Sequence, residues 1–227
     1  LTESEATMPI KAILFDIDGT LVDSNDEHVL AWDEVFRDEG TPFDRQLIHD
    51  QIGKGADNLV PTLLPDSDEA DQDRLGEAHG KIFKAKYLDQ VQPFPGARDL
   101  IARVHAAGQK VVLASSASQS ELDHYLDLLD VRDLVTASTS ADDVENTKPA
   151  PDIFATALKK IALQPDEVMV VGDTPYDVAA AGKCGIGTVA LRSGKFDDAS
   201  LKEVGAVCIY DDVAALLADY GNSPIAG

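Results

Sequence analysis

The run Ile13-Leu14-Phe15-Asp16-Ile17-Asp18-Gly19-Thr20-Leu21-Val22-Asp23 constrains this chain more than any other stretch. It opens with apolar residues suited to a buried strand and closes on two carboxylates two positions apart, followed by Gly-Thr. Side chains alternate faces along a strand, so Asp16 and Asp18 are expected to point the same way. Two acids on one side of a strand end repel each other and are costly to desolvate. Such a pair calls for a metal, or for a division between an ionised and a neutral acid. The plain alternative is a solvated turn with incidental acids, and the apolar flanks argue against it.

After Val22 the pattern becomes helical. Val29, Trp32, Val35 and Phe36 recur at helical spacing, and Gly40-Thr41-Pro42 ends that run. Leu47, Ile48 and Ile52 suggest a second helix, broken by Gly53-Lys54-Gly55, and Leu59, Val60, Leu63 and Leu64 a third. A longer helix is expected from about residue 67 to 88. Beyond the turn-rich Pro93-Phe94-Pro95-Gly96, strands and helices alternate. Strands are expected over residues 110–114, 135–137, 168–171, 188–191 and 206–210. That alternation predicts an α/β fold with a parallel sheet covered on both faces and a helical segment inserted after its first strand. Ligands of such sheets bind at the carboxyl ends of the strands. Asp16 and Asp18, Ser115, Lys148, and Asp173 with Asp177 all fall at or near such ends.

The 227 residues carry 19 basic and 41 acidic side chains, a net charge of -22. That excess argues against nucleic acid or an anionic membrane as partner. It also means that a site for an anion must be made locally positive by a metal, a lysine or backbone N–H groups. Cys184 and Cys208 lie far apart, so a disulfide framework is not expected and a reducing, cytoplasmic setting fits. No apolar run approaches the ~20 residues of a membrane span. Residues 1–9 read as a loose leader.

In this order, the four segments resemble the motifs of the haloacid dehalogenase superfamily of hydrolases with a helical cap. The resemblance is greatest to the phosphoglycolate phosphatase and β-phosphoglucomutase-like branch. The first motif runs Asp16-Ile17-Asp18-Gly19-Thr20-Leu21-Val22-Asp23-Ser24, and the second is Leu113-Ala114-Ser115. The third is Lys148 within Thr147-Lys148-Pro149-Ala150-Pro151-Asp152, and the fourth Gly172-Asp173-Thr174-Pro175-Tyr176-Asp177. The resemblance implies a Rossmann-like core over residues 10–22 and 91–227, with an all-helical cap over residues 23–90 that sets specificity.

It further implies a Mg²⁺-dependent phosphatase acting on a small phosphorylated metabolite. Asp16 would be the nucleophile and Asp18 the general acid and base. Ser115 and Lys148 would hold the phosphate, and Asp16, Asp173 and the backbone carbonyl of Asp18 the metal. Thr20 would support the turn and Asp177 would orient Lys148 or a metal-bound water. Ser116 leaves the serine register open by one residue. His28 and Lys54 are the cap candidates for substrate contact, each equally compatible with a structural role, while His49 reads as a surface residue. Asp18 argues against dehalogenase and phosphonatase chemistry, which lack an acid at that position. Gly172-Asp173 looks more like the phosphatases than the mutases, although a phosphosugar mutase remains the alternative, and a non-catalytic metal- or phosphate-binding module a more distant one. A monomer is compatible with all of this.

Overall fold

The computed structural model describes residues 9–226, so the expected leader lies, apart from Pro9, outside the described residues. The chain begins with β1 (Ala12–Phe15) and β2 (Val22–Asp23). Helices α1 (Asn25–Asp38), α2 (Arg45–His49), α3 (Ala56–Leu63) and α4 (Glu69–Lys86) then precede β3 (Gln92–Pro93). The remainder alternates: α5 (Ala97–Ala106), β4 (Lys110–Ala114), α6 (Gln119–Leu128), β5 (Ala137–Thr139), α7 (Asp152–Ile161), β6 (Val168–Gly172) and α8 (Pro175–Lys183). It ends with β7 (Gly187–Leu191), α9 (Asp198–Glu203), β8 (Cys208–Tyr210) and α10 (Val213–Ala218).

Six strands form one parallel sheet in the order β5-β4-β1-β6-β7-β8. The expected α/β architecture is therefore present. β1 lies between β4 and β6, and all four of its residues are fully buried. Its side chains alternate between two cores. Ile13 and Phe15 join Val111, Leu113, Met169 and Val171 on one face, and Ala12 and Leu14 join Val112, Ala114, Val168 and Val170 on the other. Burying each larger aliphatic or aromatic side chain contributes roughly 1.5–3 kcal/mol, which is why a strand covered on both faces is apolar throughout.

The helices between β2 and β3 enclose an apolar core of their own. Val29, Trp32, Val35, Phe36, Ile48, Ile52, Leu59, Val60 and Leu75 pack together there. Where the chain leaves and re-enters the sheet region, β2 and β3 form a short antiparallel ribbon pairing Val22 with Pro93 and Asp23 with Gln92. Sequence reading gave a turn at residues 93–96 and no strand, because two residues per strand are too few to show a period.

Three elements depart from their expected bounds by two residues. The strand expected at residues 206–210 is Cys208–Tyr210, because the Ala206 N–H still bonds to Leu201 O. The strand expected at residues 135–137 lies at Ala137–Thr139, because the Val135 N–H bonds back to Val131 O and the backbone joins β4 only from Thr136. The long helix is shorter at both ends than residues 67–88, starting after Asp68, whose carboxylate accepts the Asp71 N–H.

Candidate active site

Parallel strands bring the singled-out residues to one end of the sheet. Asp16 follows β1, with its N–H on Val171 O of β6. Ser115 follows β4, Asp173 follows β6, and Lys148 comes from the segment between β5 and α7. Asp18 lies beyond β1, so the strand alternation from which it was expected to point the same way as Asp16 does not run through it. It sits in a tight turn in which the N–H groups of Thr20, Leu21 and Val22 all bond to Ile17 O, and it bridges to Val22. Gly19 makes that turn possible: its φ is +74°, and a Cβ there would stand 2.2 Å from Asp173 Oδ2. Asp16 and Asp18 nevertheless line the same cavity, of about 540 Å³, together with Ser115, His28 and Lys54.

Beneath Asp16 lies a buried ionic cluster. Lys148 is 1% exposed, and its Nζ donates to Asp16 Oδ1 at 2.5 Å and to Ala114 O at 2.9 Å. Asp177 Oδ1 stands 2.8 Å from the same nitrogen, a charge contact without an aligned hydrogen bond. The other oxygen of Asp177 accepts from Thr174 N and Oγ1, while Thr174 Oγ1 accepts from Asp177 N. This reciprocal cap starts α8, so the acid that faces Lys148 is fixed by a helix terminus. Asp173 accepts from Thr20 Oγ1 at 2.8 Å and from Asn25 Nδ2 at 3.1 Å. Carboxylate oxygens of Asp16, Asp173 and Asp177 lie within 4.8 Å of one another, all buried.

One lysine does not balance three buried acids. Burial, only partly offset by the Lys148 charge, pushes the Asp16 carboxyl up to about 7. Burial and the Asp16 charge hold Asp173 well above the ordinary carboxylate range. Burial alone would lower Lys148, but Asp16 and Asp177 keep it above its usual value and therefore charged. Hard oxygen donors crowded in this way, with repulsion still uncompensated, fit a small divalent cation such as Mg²⁺.

Asp18 has a different environment. Its Oδ1 receives Ser24 Oγ at 2.7 Å and Tyr125 Oη at 2.9 Å, with His28 Nε2 at 3.1 Å. Burial pushes this carboxyl up, but the His28 charge and these donors bring it below its ordinary value. Conversely, burial lowers His28, and Asp18 more than restores it. The two acids of the opening motif thus sit in distinct surroundings, one against a lysine and acids, the other against neutral and imidazole donors.

Ser115 is buried, and its Oγ accepts the Ala117 N–H at 2.9 Å. Ser116 lines the same cavity with its buried Oγ unpaired, so the structure brings both serines to the site. Lys54 is half-buried with its Nζ on Gln51 Oε1 at 2.6 Å and 4.6 Å above the Tyr176 ring. Among the described residues no carboxylate pairs with it.

His49 is corrected: it is 8% exposed, packs beside Phe196, and its Nε2 lies 3.1 Å from Gly194 O. It looked like a surface residue because its polar neighbours in sequence conceal a contact made across the fold.

Other participants were not anticipated. Asn25 holds Asp173, and Tyr125 reads in sequence as a core position of α6 yet turns its hydroxyl to Asp18. A buried tyrosine needs such a partner, which is the one signal the sequence offered. Thr147, next to Lys148, is clasped by residues between α2 and α3 and by α3 itself. Its Oγ1 accepts Gly55 N–H at 2.8 Å and donates to Asp57 Oδ1, its N–H donates to Asp57 Oδ2 at 2.9 Å, and its carbonyl accepts Asn58 Nδ2 at 3.2 Å. Gly53, at φ +100°, packs so closely on Thr174 that a Cβ would stand 2.8 Å from it.

The sequence model for haloacid dehalogenase-like hydrolases matches residues 10–185. The phosphoglycolate phosphatase of Rhodospirillum rubrum is 28% identical over 216 residues, covering 91% of this chain and 89% of that protein. The fructose-1-phosphate phosphatase of Escherichia coli is 28% identical over 183 residues, covering 79% of this chain and 95% of that one. The crystal structure of a hydrolase from Pseudomonas syringae superposes with a TM-score of 0.88 at 31% identity, covering 96% of this chain and 100% of that one.

Proposed function

Because the chain belongs to the haloacid dehalogenase-like hydrolases, we propose that it is a Mg²⁺-dependent phosphatase of small phosphomonoesters, working through a phosphorylated Asp16. The observation that carries this reading is the buried set of Asp16, Lys148 and Asp173 beneath a cavity whose mouth also holds Asp18. The names of relatives support a sugar phosphate or a short organic acid phosphate as substrate.

The carboxylates of Asp16 and Asp173, with the backbone carbonyl of Asp18, would hold the cation. When bound, it supplies positive charge where an anionic nucleophile meets an anionic phosphoryl group. Lys148 adds a second positive charge on the nucleophile side, and Ser115 a neutral donor for a phosphoryl oxygen. Asp16 attacks phosphorus, and the bond to the leaving oxygen breaks. An anionic phosphoryl group seated beside Asp18 favours the neutral form of that carboxyl, so with substrate bound Asp18 can give the leaving oxygen its proton; its carboxylate then takes a proton from the water that hydrolyses phospho-Asp16. Holding Asp18 apart from the Lys148 cluster lets its carboxyl serve proton transfer alone.

The helical segment over residues 23–90 is the cap of this reading, with the core at residues 10–22 and 91–227. His28 and Lys54 face the shared cavity from the cap side, where the leaving group would sit. A panel of phosphomonoesters, assayed with Mg²⁺ and again with chelator, tests the proposal. Release of free phosphate that needs the metal supports it. Isomerised phosphosugar without phosphate release would favour the mutase instead, and no turnover on the whole panel would leave a binding module.

A further inference from the structure

His79, on α4, was not singled out by any sequence motif, yet it is joined to Asp18 through one intermediate. Asp18 Oδ1 is 3.1 Å from His28 Nε2, and His28 Nδ1 is 3.3 Å from His79 Nε2. Among the described residues, His79 is the partner of that second His28 nitrogen. Both rings are held flat against neighbours: His28 stacks on Phe83 at 3.9 Å between centroids, and His79 on Trp32 at 4.4 Å. Stacking restrains the tilt of an imidazole but leaves it free to turn within its own plane, where hydrogen bonds decide its direction. Whichever nitrogen carries the proton of the His28–His79 contact, a bond to Nδ1 aims Nε2 at Asp18.

We propose that His79 is a positioning residue for the reaction: by engaging His28 Nδ1 it holds His28, and through it the Asp18 carboxyl, in line for proton transfer to the leaving oxygen. The inference rests on the phosphatase reading above and adds to it a residue from the cap. His79 also lines the cavity, so the same helix that borders the leaving group aims the acid that protonates it. Packing alone would explain His79 as an aromatic filler between Trp32 and His28, and the two explanations separate in the leaving group.

An alkyl phosphate needs its leaving oxygen protonated, whereas p-nitrophenyl phosphate departs as a stabilised phenolate and does not. The value of kcat/KM reports steps up to departure of the leaving group, so the later hydrolysis of phospho-Asp16 does not enter it. The test compares His79→Phe, which keeps the flat ring, with His79→Gln, which keeps a hydrogen-bonding group. The substrates are p-nitrophenyl phosphate and the alkyl ester that the unmodified enzyme turns over fastest. General acid catalysis is worth about 10²–10⁴-fold, and misaiming the acid is expected to forfeit at least about tenfold of it. For His79→Phe, kcat/KM on the alkyl ester should fall by that factor while the value on p-nitrophenyl phosphate stays within about twofold, and His79→Gln should recover most of the loss. Equal losses on both esters, no loss, or no recovery with glutamine would overturn the proposal. If His79→Phe does not fold, His79→Leu makes the same comparison. Turnover of neither ester by the unmodified enzyme would instead remove the phosphatase reading, and this inference with it.

Discussion

Lys148 Nζ lies 2.5 Å from Asp16 Oδ1, and both side chains are almost wholly withdrawn from solvent. A buried lysine keeps its charge only where acids surround it, and a buried carboxylate ionises readily only beside a cation. Each therefore depends on the other. Lys148→Met should reduce kcat by about 10²–10³-fold, the usual loss on removing a group that stabilises transition-state charge. It should also destabilise the fold by about 3–5 kcal/mol at alkaline pH, the cost of leaving one partner of a buried pair unopposed. The acids then escape by taking up protons, so the loss should shrink as pH falls. Urea denaturation across a pH series checks this, and a pH-independent loss would contradict it.

The Asp16 carboxyl, pushed up to about 7 by burial, and Asp173, held by burial well above the ordinary carboxylate range, must both be ionised to hold a divalent cation. Below a raised pKa the site is protonated, and the cation must displace those protons. Mg²⁺ affinity should therefore rise with pH and weaken by at least about tenfold per unit below pH ~7. Calorimetric titration near pH ~6.5 in buffers of different ionisation enthalpy should show protons released on binding. Binding without proton release would contradict the assignment of these acids to the cation.

Gly19 combines a left-handed backbone with an approach to Asp173 that leaves no room for a methyl group. Gly19→Ala should cost about 1–3 kcal/mol of stability from backbone strain, and it should weaken Mg²⁺ binding because Asp173 must move. Thermal melts with and without Mg²⁺ read both effects. A stable variant with unchanged Mg²⁺ affinity would contradict them.

Thr147, the residue beside Lys148, holds the start of α3 through Gly55 and Asp57. Thr147→Val removes the hydroxyl bonds to Gly55 and Asp57, each worth about 0.5–3 kcal/mol depending on charge. Hydrogen exchange at residues 55–58 should accelerate in Thr147→Val and stay near the original rate in Thr147→Ser. Unchanged exchange in the valine variant would show that the clasp does not secure this segment.

Much of this molecule was readable before its coordinates. β1, β4 and β6 announced themselves through apolar runs, since strands buried on both faces have no polar positions to blur the signal. Each run was followed by the residue that reaches the site: Asp16, Ser115 and Asp173. What stayed hidden was made by long-range contact. The Tyr125 hydroxyl meets Asp18 across 107 positions and His49 meets Gly194 across 145, and no local pattern encodes either distance. His79 lies on α4 with no motif to mark it, and it stacks with two rings of α1, those of His28 and Trp32. The strand at Ala137–Thr139 was displaced because β-branched residues mark strand propensity, while hydrogen bonds mark where pairing starts.

Phosphorylation of Asp16 is the central claim, and rapid-quench labelling tests it most directly. The Asp18→Asn variant should still transfer the phosphoryl group from p-nitrophenyl phosphate, whose leaving group needs no acid, but hydrolyse the product slowly. With Mg²⁺ present, acid quenching within the first turnover and peptide mass spectrometry should place the phosphoryl group on Asp16, and the label should be absent when Asp16→Asn is added. A phosphoryl group on another residue, or full turnover by the Asp16→Asn enzyme, would contradict the account.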